Sequence, residues 1–329
     1  MNIPHLKQTA AARLEQAQQE KKIVLIYSGL AIGSAVLVTA VNYLLGLQIS
    51  QSGGLGNMGT RAMLSSLQTM LPLIQSVALM CLDVGYIAAM LRIARGQYAS
   101  PQTLRLGFDR LWVLLRCSLI QGMLYGGLAF GSIYATTFVY MMSPMSASLM
   151  EILLPVVSEA SVINPNIVLD EAVYQQLTQA ITPVLILSAV VFLALSVPLF
   201  YRYRLANYLI IDRPAIGAVA ALRESRNIMR GNKRTLAKLD LSFWWFYLAS
   251  FGATALGNAD SWLSRLGVQL PFSGEVGYYI FLVLYWSATF AIYFFLRNRV
   301  EVAYGLAYDT FRPKEQSSGG VVLGNIFQM

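Results

Sequence analysis

Histidine is nearly absent from this chain: His5, in a polar N-terminal stretch, is the only one in 329 residues. Imidazole-dependent catalysis and histidine-rich metal centres inside a membrane are thereby all but excluded. Cysteine is scarce too. Cys81 and Cys117 both fall in apolar stretches, so no disulfide framework is implied. Charge is the third shortage. Charged residues make up 12% of the chain, about half the roughly one quarter usual in soluble domains. Hydrophobic residues make up 56%, and the mean hydropathy is +0.55. A surface this poor in charge needs lipid to cover it. Catalytic signatures are missing as well: there is no HExxH, no P-loop and no GxSxG. Asp83 has no second intramembrane carboxylate with which to form an aspartyl dyad. No enzyme activity, cofactor or metal is expected.

What is present is a set of long apolar runs. About 20 such residues cross ~30 Å of hydrocarbon, and six runs qualify, near 23–47, 66–91, 111–142, 182–209, 239–258 and 277–297. The pattern predicts an all-α, polytopic membrane protein with six transmembrane helices in a domain over 23–300. The first run lacks a small-x-small cleavage site and reads as a retained span.

Lys and Arg orient the spans. The tail 1–22, the stretches 92–116 and 202–238, and the segment 297–314 hold 22 of the 24 cations; only Arg61 and Arg265 lie in the other loops. Both termini are therefore expected in the cytoplasm, with 1–22 as an N-terminal tail and 301–329 as a disordered C-terminal tail. The loop 143–180 has no Lys or Arg and four carboxylates, Glu151, Glu159, Asp170 and Glu171. It is expected outside, with short helices at 147–158 and 169–180. Its acids lack calcium-loop spacing and read as a solvated loop. The net charge of +8 sits in these membrane-side loops, which argues against nucleic acid.

The most basic loop holds ESRNIMRGNKRTLAKLDLSFWW, residues 224–245. Pro214 is placed to open a helix over 214–230 and Gly231 to end it. At 100° per residue, Ala218, Ala221, Leu222, Ser225, Ile228 and Met229 share one arc. Arg223, Arg226 and Arg230 share the next, which Lys233 and Arg234 extend. An apolar stripe beside a cationic one predicts a cytoplasmic amphipathic helix on the lipid surface, contacting anionic headgroups or a partner. The aromatic run 243–247 then anchors span five at headgroup depth. In the loop before it in this series, Arg95-Gly96 closes span two and Ser100-Pro101 opens a helix on which Leu104 and Phe108 share a face. The shared Arg-Gly break raises the idea of an internal repeat.

GYIAAMLRIARG (85–96), LRLGF (104–108), YRLANYLIIDRP (203–214) and ESRNIMRGNKRTLAKLDLSF (224–243) resemble the bacterial membrane family catalogued as domain of unknown function 975. The family's tryptophan three residues past the last Phe is Phe246 here, and the acidic loop is long. The resemblance implies a six-span inner-membrane protein and brings no activity.

Asp83 and Arg116 are the charges well inside the spans, and spans two and three form a hairpin. They read as an intramembrane polar pair. Gln75, Gln121 and a kink at Pro198 beside them suggest the alternative, a transporter of a small molecule, ion or lipid with a path near Asp83. Gly122, Gly126, Gly127 and Gly131 in span three, and Gly29 and Gly33 in span one, predict close helix packing, within the chain by default or in a homodimer. The leading reading is a non-enzymatic protein that binds lipid, another membrane protein or itself through its cytoplasmic helices. An intramembrane enzyme ranks third.

Overall fold

The computed structural model describes residues 2–17, 19–51, 58–144, 146–147, 150–151, 171–265 and 275–312. Every regular element among them is helical. In chain order they are α1 (Ile3–Gln16), α2 (Glu20–Gln51), α3 (Met58–Ala94), a 3-10 turn (Pro101–Arg105), α4 (Leu106–Asp109) and α5 (Leu111–Met141). Then come α6 (Glu171–Tyr203), α7 (Ala206–Asp212), α8 (Ala218–Ile228), α9 (Lys233–Ser242), α10 (Trp244–Gly257) and α11 (Ala259–Arg265). The last stretch is α12 (Glu275–Ile292), a π turn (Tyr293–Arg297) and α13 (Asn298–Phe311). Five helical stretches are long and apolar enough to cross a membrane: Glu20–Gln51, Gly59–Ala94, Leu111–Met141, Gln175–Asp212 and Val276–Phe311.

The chain divides into two compact units, residues 1–115 with 204–329, and residues 116–203. In the second unit α6 runs unbroken through Pro183 and Pro198. It absorbs the short helix expected at 169–180. Tyr140 on α5 donates to the Ala180 carbonyl at 3.2 Å. The helix expected at 147–158 lies mostly outside the described residues. No described atom comes within 4 Å of a Cβ built at Gly122, Gly126, Gly127, Gly131, Gly29 or Gly33. Packing against the described residues therefore does not explain these glycines.

The core of the first unit sits at one end of its long helices. On α3 the side chains of Met63, Met70, Leu73 and Ile74 are exposed, whereas Cys81, Val84, Tyr86 and Ala88–Leu91 are buried. The buried stretch packs against α7 and α13, where Leu209, Ile210, Val302, Ala303 and Ala307 are buried too. At 1.5 Å per residue, the 37 residues of α3 reach about 55 Å, well beyond the ~30 Å of hydrocarbon. The exposed half has the length of a span. The buried half builds a helical collar past its end.

Two glycines let the chain fold back along α3. A Cβ on Gly85 would stand 2.0 Å from the Leu104 carbonyl oxygen, and one on Gly107 would stand 1.8 Å from that of Cys81. Backbone meets backbone at both points, which is why GYIAAM and LRLGF carry glycine. Pro101 does open a helical turn after Ser100, but Ser100 makes no side-chain cap bond. The turn is 3-10, so Leu104 is buried while Phe108 is 47% exposed, and the two share no face.

Three expectations need correction. The helix expected over 214–230 begins at Ala218, because residues 213–216 form a turn closed by the Ile216 N–H on the Arg213 carbonyl. It ends at Ile228, short of the expected 230, and Gly231 follows with φ +94°; Gly96 has φ +69°. Span five is not one helix over 239–258. It breaks at Phe243, where Lys7 of α1 donates to the Ser242 carbonyl at 2.9 Å and lies 4.6 Å from the Phe243 ring centre. A cation there complements the negative end of α9. Third, residues 301–311 are not a disordered tail. They form α13, with Val302, Ala303, Tyr304, Ala307 and Tyr308 almost wholly buried. The N-terminal stretch is likewise folded, as α1, which buries Leu6, Ala10 and Leu14 on one face.

Candidate functional site

A single insertion in the last long helix sets the geometry of the polar cluster. In the π turn Tyr293–Arg297 the hydrogen bonds span one residue more than in an α-helix, which turns the following side chains relative to those before. The Arg297 guanidinium points inward. Its carbon lies 4.9, 5.2 and 5.0 Å from the ring centres of Tyr27, Tyr86 and Tyr293. It donates to the Tyr27 hydroxyl and, at 3.2 Å, to Asp83 Oδ1; Tyr27 in turn donates to Asp83 Oδ1. Tyr27 and Tyr86 stack at 4.4 Å. A cation held by aromatic faces keeps attraction that water would otherwise screen. The arrangement gives Asp83 a counter-charge and ties α2 and α3 to the π turn.

Beyond Arg297, α13 carries a polar group on nearly every turn, and these join it to several other elements, α7 among them twice. Asn298 donates to Glu20 at the start of α2. Tyr208 of α7 donates to Glu301 at 3.0 Å. The Tyr304 and Tyr247 hydroxyls lie 3.1 Å apart, and Tyr247 donates to Asp240 at 2.8 Å. Tyr308 and Arg312 both donate to Asp212. Arg95 forks onto Asp309 through Nε (3.0 Å) and Nη2 (2.7 Å), and its Nη1 reaches Asp212 at 2.8 Å. Burial opposes the Arg95 charge, but the bonds to Asp309 and Asp212 outweigh it and hold its pKa above the usual range. Residues 301, 304 and 308 follow one face of α13, a spacing legible in the sequence once this segment is recognised as helix.

The basic loop has a different character. Ala218, Ala221, Leu222, Ser225, Ile228 and Met229, the apolar arc expected there, are all buried within the protein. On the other side Arg223, Arg230 and Arg234 are exposed, and Arg226 and Lys233 are partly covered. Lys238, one turn after Arg234, is exposed as well. Among the described residues none of these six cations has a hydrogen bond or ion pair. The nearby acid Glu224 is taken by Arg213 at 2.8 Å. Trp244 and Leu248, 61% and 58% exposed, continue the outer surface on α10.

The residues singled out from sequence fall in different units. Asp83 is joined to Tyr27 and Arg297. Arg116 is exposed at the head of the second unit. Gln121 bonds Cys117 Sγ on its own helix at 3.8 Å. Arg297 was missed because it counted as one more loop cation.

No curated protein and no solved structure matches the chain. The family model described as "Protein of unknown function (DUF975)" matches residues 4–298, taking in α1, the glycine-bearing α3 and α4, the basic loop and the Arg297 turn, and the chain belongs to that family.

Proposed function

We propose that the protein is a non-enzymatic, six-span inner-membrane protein with both termini in the cytoplasm, whose collar binds anionic lipid headgroups. The observation that carries this is the row Arg223, Arg230, Arg234 and Lys238, exposed and without partners among the described residues, behind which α8 and α9 bury their apolar arcs. Cations clustered without counter-ions repel one another. An anionic leaflet removes that cost and contributes on the order of 1 kcal/mol per cation. The fifth crossing in this reading is α10 with α11, residues 244–265, whose 22 positions reach about 33 Å.

The test uses purified protein in nanodiscs or detergent, titrated with phosphatidylglycerol or phosphatidylcholine. Replacing Arg223, Arg230, Arg234 and Lys238 with Glu should abolish preference for the anionic lipid and leave neutral-lipid binding unchanged. Equal retention of both lipids by the unaltered protein would overturn the reading. A partner membrane protein or a second copy on this face would show instead as binding that survives in neutral lipid. The transporter alternative keeps one observation: the Asp83 side chain is 44% exposed despite its ion pair. Uptake or efflux in sealed vesicles that Asp83→Asn abolishes would favour it.

A further inference from the structure

A groove of about 710 Å³ lies where α1 turns into α2 and α12 passes into α13. Its walls include Glu15, Glu20, Lys21, Phe294, Phe295 and Arg299. Two independent helices place it at the edge of the hydrocarbon. On α2, exposed apolar side chains begin at Leu25 and Ile26, one turn after Lys21. On the other wall they end at Phe295, 62% exposed, one turn before Arg299. The groove therefore has an apolar floor on the lipid side and charges of both signs on the collar side. Glu20 is buried and held by Asn298, while Glu15, Lys21 and Arg299 are exposed at the rim.

We propose that this groove binds a zwitterionic aminophospholipid, with its phosphate on Lys21 and Arg299, its ammonium on Glu15, and its acyl chains against Phe294 and Phe295. A purely anionic headgroup would offer no cation to Glu15, and a soluble headgroup would leave the phenyl wall uncovered. The site shares no residue with the cation row of α8 and α9, so it stands apart from the anionic-lipid reading.

The experiment is native mass spectrometry of the full-length protein, titrated with phosphatidylethanolamine, phosphatidylglycerol of the same chains, or soluble glycerophosphoethanolamine. The background is the variant in which Arg223, Arg230, Arg234 and Lys238 are Glu, so that anionic binding at the other site does not mask the result. Phosphatidylethanolamine should be retained over phosphatidylglycerol by about fivefold, the size that one exposed ion pair supplies. Glu15→Lys should remove or invert that preference, and Glu15→Gln should reduce it. Phe295→Ser should weaken both lipids alike, and the soluble headgroup should not bind. Equal retention of the two lipids, a preference unchanged by Glu15→Lys and Glu15→Gln, or binding of the soluble headgroup as tight as of the lipid would each overturn the proposal. Loss of phosphatidylglycerol binding in the four-Glu background with phosphatidylethanolamine retained supports both sites; loss of phosphatidylethanolamine with phosphatidylglycerol retained overturns the groove proposal.

Discussion

Arg297 Nη2 lies 3.2 Å from Asp83 Oδ1, closing a loop of 214 positions and joining the C-terminal end of one long helix to the middle of another. The arginine side chain is 13% exposed and the aspartate 44%. The pair is therefore intermediate between a solvated ion pair, worth about 0–1 kcal/mol, and a buried one whose disruption costs about 3–5 kcal/mol.

A double-mutant cycle should find Asp83→Asn and Arg297→Gln non-additive by about 1 kcal/mol in detergent melting. A cycle of Asp83→Asn with Arg116→Gln tests the pairing expected from sequence. Additivity there alongside coupling to Arg297 would leave Asp83 with the partner seen at the π turn.

Glycine substitutions should divide sharply by what surrounds each position. Gly85→Ala and Gly107→Ala drive a methyl into a backbone carbonyl that cannot rotate away, so each should cost about 1–3 kcal/mol or abolish folding. Gly126→Ala and Gly131→Ala meet open space, and the better helix propensity of alanine should leave melting unchanged or slightly raised. Fluorescence-detected gel filtration after a heat series reads both groups. A loss at Gly126 comparable to that at Gly85 would point to helix packing at that face in the assembled protein.

Single cysteines, introduced after Cys81 and Cys117 are replaced, should label readily at 223 and 230, at an intermediate rate at 226, and slowly at 222, 225 and 229. Leu222 is 5% exposed and Ser225 and Met229 are 0%. Uniform labelling would mean that α8 does not hold its inner face against the protein.

The arc of α8 was readable because a buried helix face leaves a 3.6-residue period in the apolar residues. The breaks at Gly96 and Gly231 were readable because left-handed backbone selects glycine. Arg297 was not readable, since a π turn shifts the period by one residue and leaves no compositional mark. Residues 301–311 were taken for a tail because Glu301, Tyr304, Tyr308 and Asp309 look solvated when counted singly. Glu301, Tyr304 and Tyr308 are buried and Asp309 is partly covered, paired with Tyr208, Tyr247, Asp212 and Arg95, partners that lie far away in the chain. The break at Phe243 was hidden by the aromatic run around it, and its anchor, Lys7, comes from the first helix.

That break makes topology the most informative remaining measurement. Reporters after residues 55 and 160 should report outside, and those after 100, 225 and 315 inside, as the distribution of Lys and Arg requires. The reporter after 268 decides the count. Alone, the 14 residues of α10 reach about 21 Å, too short for the ~30 Å core. With Asn258 and α11 the stretch reaches Arg265, a cation that leaves the hydrocarbon on the far side if the segment crosses. The Trp262 N–H bonds the Asn258 carbonyl at 3.2 Å, so helical bonding resumes across the junction. An outside signal at 268 is expected, with six crossings and with α12 returning the chain to the collar at Arg297. An inside signal would make α10 and α11 a re-entrant pair. The chain would then cross five times, and the two termini would lie on opposite sides, at odds with Lys7 of α1 and the α13 network meeting in one collar.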